Sequence, residues 1–418
     1  MRVLVVGGGA REHALVRSLR ADPTVTAVFA APGNAGMAAE VEIRPLDVAD
    51  PGTVADLAFR LAVDLVVVGP ELPLVAGAAD AVRAAGIDCF GPSAAAAQLE
   101  GSKEFAKQVM AGAGVPTARA FACSTPDEAA AALDELGSPY VVKDDGLAAG
   151  KGVVVTTDRA EALAHAATCK RVVIEEFLDG PEVSLFAICD GTTVLPLVPA
   201  QDFKRVGDDD AGPNTGGMGA YSPLPWAPDG LVDEILADVL QPTVDEMARR
   251  GTAFSGLLYA GLALTSKGLR VIEFNARFGD PETQVVLARL RTPLGELLRA
   301  AATGRLHEVG PLEWSDDAAV TVVLAAHGYP TSPRAGDEVL GLDAAESVPG
   351  ATVLHAGTVL DGSGRVISSG GRVLSVVGTG ADLSAAHSSA YAAVDRIDLP
   401  GSHHRTDIAA AAAGATTT

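Results

Sequence analysis

The chain has 418 residues, with 31 Lys and Arg against 53 Asp and Glu and a formal charge of −22. That length supports two to four domains, and the acidity argues against nonspecific binding to nucleic acid or to an acidic membrane surface. No apolar run approaches the ~20 residues of a membrane span. Met1 leads at once into a strand-like run, which reads as a chain without a signal peptide. The four scattered cysteines, Cys89, Cys123, Cys169 and Cys189, match neither a zinc pattern nor a disulfide framework. A cytoplasmic chain is expected.

In chain order, the apolar run at 3–6 has the form of a buried strand and ends in Gly7-Gly8-Gly9. A helix is expected at 11–19, strands at 25–29 and 64–68, and helices at 54–61 and 76–85. Strands alternating with helices imply a parallel sheet. Ligands of such sheets bind beyond the carboxyl ends of the strands, where residues 7–13 and 69–71 would lie. Gly91-Pro92-Ser93 punctuates the chain, and a helix is expected at 102–113. Strands at 141–143 and 153–155 then flank a glycine-rich loop at 146–152, a hairpin with the form of a lid. A helix at 159–167 and a strand at 171–176 complete a small α+β unit. A polar, glycine-rich segment at 201–221 and a strand at 269–275 follow. The remainder is β-rich, with strands at 319–325, 351–360 and 372–377, and the low-complexity tail at 409–418 is expected to be frayed. This gives units at 1–100 with a linker helix at 101–115, then 116–184, 185–310 and 311–408, and a disordered tail at 409–418.

Five segments carry chemistry. Residues 7–13, Gly7-Gly8-Gly9-Ala10-Arg11-Glu12-His13, begin like a dinucleotide fingerprint but lack its third glycine. They read either as a tight turn or as a phosphate holder at a helix start, with Arg11 and His13 assisting. Lys143 and the loop through Gly150, Lys151 and Gly152 could fold over a triphosphate and offer it backbone N–H groups. They are not a P-loop, since a glycine and then a strand follow Lys151. Glu175-Glu176-Phe177-Leu178, with Glu182 close behind, could serve an adenine and a ribose. The stretch from Gln201-Asp202-Phe203-Lys204-Arg205 to Asn214 and the glycines beyond it reads as an anion-handling loop. Glu273 and Asn275 alternate onto one face of a strand, two hard oxygen ligands suited to Mg²⁺. Arg277 continues that face and could meet a carboxylate or phosphate bidentately.

Taken in order, these segments resemble the ATP-grasp enzymes. Within them, Gly9-Ala10-Arg11-Glu12-His13, Ala31-Pro32-Gly33-Asn34-Ala35-Gly36, Val68-Gly69-Pro70-Glu71 and Leu99-Glu100-Gly101-Ser102-Lys103 are similar to the phosphoribosylamine–glycine ligase family. So are the runs at 145–152, 212–219 and 277–284, and Arg405-Thr406-Asp407 near the end. The resemblance implies a multidomain α/β and α+β fold: a Rossmann-like N-terminal domain, an ATP-grasp core with a small mobile lid and a large half, and a small β-rich C-terminal domain. It implies a monomeric ligase of purine biosynthesis that joins glycine to 5-phosphoribosylamine through glycyl phosphate, using ATP and Mg²⁺ or Mn²⁺. ATP contacts would fall on Lys103, Lys143, Gly150, Lys151, Gly152, residues 175–178, Glu182, Arg205 and Asn214. Substrate contacts would fall on Gly9, Arg11, Glu12, His13, Asn34, Pro70, Glu71, Asp202, Lys204, Gly216, Gly217, Met218, Arg277, Gly279, Asp280 and Pro281. Lys143, Arg205 and Arg277 would serve catalysis, and Glu273 and Asn275 the metal. Two departures stand out: Asp144 where alanine is common, and a short stretch at 160–172. A carboxylase acting through carboxyphosphate would share the ATP motifs, and an NAD-binding protein would share only the first turn.

Overall fold

The computed structural model describes residues 1–147 and 152–415, and the side chains of all of these but Ala415. Its first sheet is formed by β1 (Arg2–Gly7), β2 (Ala27–Pro32), β3 (Glu42–Ile43), β4 (Leu65–Val68) and β5 (Asp88–Phe90). They pair in parallel in the order β3-β2-β1-β4-β5. The apolar runs at 3–6 and 65–68 are buried on both faces, as a sheet covered by helices requires. The helix expected at 76–85 is two helices, Glu71–Ala76 and Ala78–Ala84. Gly77 between them takes a φ of 98°, a left-handed conformation that stops the first helix.

The second sheet is antiparallel, in the order β6-β9-β7-β8, from β6 (Ala120–Cys123), β7 (Tyr140–Asp144), β8 (Val153–Thr156) and β9 (Val172–Glu175). The expected hairpin is β7 against β8. Helices Pro126–Leu136 and Arg159–Thr168 pack on this sheet. Thr125 and Glu128 form a capping box on the first. This unit has its own apolar core around Leu133, Val142, Ala162 and Ile174, distinct from the two larger cores.

The third sheet has the order β11-β10-β14-β15: β10 (Glu182–Asp190), β11 (Val194–Pro196), β14 (Ser255–Thr265) and β15 (Gly268–Asn275). A boundary at 184/185 therefore falls inside β10. The fourth sheet, β12-β13-β16-β20-β17, joins β12 (Gln201–Asp202) and β13 (Gly219–Ser222) to β16 (Ala318–Ala325), β20 (Arg372–Gly380) and β17 (Ala351–His355). Sheet pairing thus crosses the expected boundary at 310. The strand expected at 351–360 is two, β17 and β18 (Thr358–Leu360). Between them Gly357 turns the chain, its N–H donating to the Arg372 carbonyl, and β18 pairs instead with β19 (Val366–Ser368). The tail is also corrected for residues up to 415: Ala410–Ala415 is helical, and Ile408, Ala409 and Ala412 are buried, so apolar packing orders what composition alone suggested would fray. Residues 416–418 lie outside the described residues. No described helix is long and apolar enough to cross a membrane.

Candidate active site

A cavity of about 970 Å³ opens where the four sheets converge. Lys143, near the end of β7, and Glu175, ending β9, meet in its wall. Lys143 Nζ lies 2.9 Å from Glu175 Oε2 and donates to the Ile272 carbonyl at 3.1 Å. Lys107, one turn beyond Lys103 on the helix Lys103–Ala113, holds the other carboxylate oxygen at 3.2 Å. Burial alone would raise the Glu175 pKa, but the two ammonium charges outweigh it and hold the carboxyl ionised. For Lys143 burial is likewise opposed, by Glu175 and Glu273, and its pKa rises. Two lysines against one carboxylate leave this part of the cavity wall with a net positive charge.

Beside this pairing β15 presents Glu273 and Asn275, and Arg277 follows just beyond the strand. The Glu273 side chain makes no hydrogen bond or ion pair among the described residues, and Asn275 Oδ1 accepts from Arg277 Nη2 at 3.3 Å. Arg277 is also held by Glu100 at 3.0 Å and Glu71 at 3.4 Å. Glu100 accepts a second bond from Ala276 N–H at 2.8 Å. Among the described residues no three His, Cys, Asp or Glu side chains cluster as a closed metal cage. One unpaired carboxylate beside one amide oxygen fits a Mg²⁺-like ion that takes its remaining ligands from phosphates and water.

The glycine-rich segment between β12 and β13 lines the same cavity. Arg205 donates to Gly212 O at 2.8 Å, and its backbone pairs with Asn214. Lys204 bridges Glu182 at 2.5 Å and Asp202 at 3.1 Å. Burial, only partly offset by Lys204, pushes the Asp202 carboxyl up to about 7. Arg372, from β20, fixes this segment to the loop after β15: its guanidinium donates to Gly216 O at 2.5 Å and Asp280 O at 2.6 Å, and pairs with the Asp280 carboxylate at 3.0 Å.

The cavity brings together Lys103, Lys143, Gly152, residues 175–178, Glu182, Arg205, Asn214, Arg11, Pro70, Glu71, Asp202, Lys204, Gly216, Arg277, Asp280, Glu273 and Asn275. Gly150 and Lys151 lie outside the described residues. Gly9, Glu12, His13, Asn34, Gly217, Met218, Gly279 and Pro281 are not in its wall. Glu12 instead caps its own turn, accepting from Gly9 N–H at 2.6 Å and from Arg11 Nε at 2.5 Å. His13 is fully buried: Nδ1 accepts from His355 N–H at 2.8 Å, and Nε2 lies 3.1 Å from Glu40. Asn34 donates to Gly8 O at 3.0 Å and His355 O at 2.7 Å. Arg11, whose guanidinium reaches Phe278 O at 3.0 Å, is the one side chain of that first turn facing the cavity. Asp144 is not in the wall either; it faces Cys169.

Sequence reasoning missed Lys107, Glu100, Tyr259, Glu282, Tyr329 and Arg372, all of which line the cavity. Lys107 stood four residues from Lys103, on one helix face, and Glu100 stood inside a quoted motif. For Arg372 and Tyr329 no local signal exists, because other chain segments bring them in.

Family models for phosphoribosylglycinamide synthetase match most of the chain: the N domain at residues 1–100, the ATP-grasp (A) domain at 101–283 and the C domain at 319–411. A phosphoribosylamine–glycine ligase of Streptomyces coelicolor is 69% identical over 99% of this chain and 100% of its own length. One of Mycobacterium tuberculosis is 57% identical, over 99% of each. The crystal structure of phosphoribosylamine–glycine ligase from Thermotoga maritima superposes with a TM-score of 0.84 at 31% identity, covering 98% of this chain and 100% of that one. A Campylobacter jejuni biotin carboxylase shares the fold, with a TM-score of 0.73 at 14% identity over 96% of this chain and 92% of that one. The chain belongs to the phosphoribosylamine–glycine ligase family of ATP-grasp enzymes.

Proposed function

We propose that the chain ligates glycine to 5-phosphoribosylamine with cleavage of ATP to ADP and phosphate, forming glycinamide ribonucleotide for purine biosynthesis. One observation carries this reading beyond family membership: the buried Lys143–Glu175–Lys107 pairing adjoins the Glu273, Asn275 and Arg277 strand end in the wall of a single cavity. A free carboxylate does not acylate an amine at neutral pH, because oxide is a poor leaving group. Attack of the glycine carboxylate on the γ-phosphate of ATP gives glycyl phosphate, and the amine then expels phosphate. Such transfers need positioning and charge neutralisation more than a nucleophilic side chain. Lys103, Lys143 and Arg205 supply positive charge to the phosphates, and Arg277, braced by Glu71 and Glu100, holds a fixed guanidinium beside them. Glu273 and Asn275 would hold Mg²⁺ or Mn²⁺, which neutralises phosphate charge when bound. Burial under the β7–β8 hairpin shields the acyl phosphate from water.

The decisive assay follows ADP release with glycine and phosphoribosylamine omitted in turn. Release should require glycine, and release that persists without it overturns the reading.

A further inference from the structure

Below the rim of the cavity lies a carboxylate that the mechanism above does not use. Glu282, at the start of the helix Glu282–Arg289, is 3% exposed and lines the cavity floor. Its Oε1 accepts from Tyr259 O–H at 2.5 Å, with Ser184 Oγ at 3.4 Å. Its Oε2 accepts no hydrogen bond, and Glu282 forms no ion pair among the described residues. The nearby cations are already engaged: the Lys204 ammonium is shared between Glu182 and Asp202, and the Arg277 guanidinium, within electrostatic reach of Glu282, is held by Glu71 and Glu100. A buried carboxylate without a cation is costly. Tyr259 eases but does not cancel that cost: burial, reinforced by the adjacent carboxylate, pushes its pKa far up, so it stays a neutral donor. Oε2 packs directly against Gly279, where a Cβ would stand 2.5 Å from Oε2 and 2.9 Å from Phe186 Cζ, so glycine alone fits beside this carboxylate.

Resting on the ligase reading above, we propose that Glu282 Oε2 receives the α-ammonium of the amino-acid substrate, with Tyr259 orienting the carboxylate, and so selects an amino acid over other small carboxylic acids. The substrate chemistry favours this ammonium over the sugar amine. The amino acid's ammonium is protonated at neutral pH and takes no part in the bonds made or broken, whereas the sugar amine must be neutral to attack, and a carboxylate held against it would favour its protonated, unreactive form.

The test measures the glycine KM and the inhibition constant of glycolate, which keeps the carboxylate and replaces the ammonium with a hydroxyl. For Glu282→Gln the glycine KM should rise roughly 10- to 100-fold, the loss expected for one charge-assisted hydrogen bond. The ATP KM and the glycolate constant should hold. Tyr259→Phe should raise the glycine KM less. If Glu282→Gln fails to fold, Glu282→Asp, which withdraws the charge by one methylene, takes its place with the same expected direction. An unchanged glycine KM in a folded variant, or glycine and glycolate weakened equally, overturns the proposal. Glycine-independent ADP release by the unaltered protein would instead overturn the ligase reading itself.

Discussion

Glu273 lies among charged neighbours in the cavity wall, yet its side chain makes no hydrogen bond or ion pair among the described residues. Glu71 and Glu100 are spent on Arg277, Glu175 on two lysines, and Glu182 and Asp202 on Lys204. Removing Glu273 therefore leaves no charge unpaired, and the fold should not suffer. For Glu273→Ala, ADP formation should fall at least about 100-fold, as when charge stabilisation is lost from a transition state, while the melting temperature stays within a few degrees. Near-normal turnover would remove Glu273 from the metal role. This residue and Asn275 were legible in the sequence, because alternation along a strand fixes which residues share a face. The partners of Arg277 were not, since Glu71 and Glu100 reach it from segments whose approach no local spacing encodes.

The β7–β8 hairpin is tied to the linker helix by an element-level device. Asp145, just past β7, accepts from the backbone N–H groups of Lys103 at 2.7 Å and Glu104 at 3.2 Å, so it caps the first turn of the helix Lys103–Ala113. Its negative charge also suits the positive end of the helix. Lys103 Nζ returns the contact to Gly146 O at 2.9 Å, and Arg171 pairs with Glu104. Asp145→Ala should cost about 1 kcal/mol at this cap, speed amide exchange in the first helical turn and raise the KM for ATP. Exchange rates equal to wild type would show that the cap does not hold the hairpin. The sequence revealed both elements here, since each has its own periodicity and turn residues. It did not reveal the cap, which joins residues 42 apart in the chain.

Across the whole molecule, the first turn and the C-terminal unit are joined by His13, Asn34 and His355, with Glu40, Arg17 and Glu346 around them. Burial, with the neighbouring His13 and Arg17, lowers the His355 pKa to about 4. A histidine depressed on folding binds fewer protons in the native state than in the unfolded one. Its contribution is therefore complete above pH 6.5 and is lost as pH falls towards 4. The shift corresponds to roughly 3 kcal/mol. Melting temperature should fall across that window, and His355→Gln should flatten the decline; equal slopes would exclude His355 as its source. His13 was read as a substrate contact because its motif sits at a sheet edge where ligands bind. The sequence could not show that another unit covers that edge. Arg372 makes the same point for catalysis. Arg372→Ala should lower kcat at least about tenfold, as expected when a positioning contact is lost, with a smaller effect on the ATP KM; unchanged kcat would show that its clamp is dispensable.

The sheet that takes β12 and β13 into the company of β16, β20 and β17 also limits how this chain can be divided. A cut near residue 310 would strip β16 of its neighbour β13 and leave an edge of unpaired backbone groups flanked by apolar side chains, a template for strand-to-strand aggregation. The two halves are thus better suited to be produced together and to reassemble by strand pairing than to be purified apart. A split that separates no partners of this sheet would have to fall before β12 or after β20.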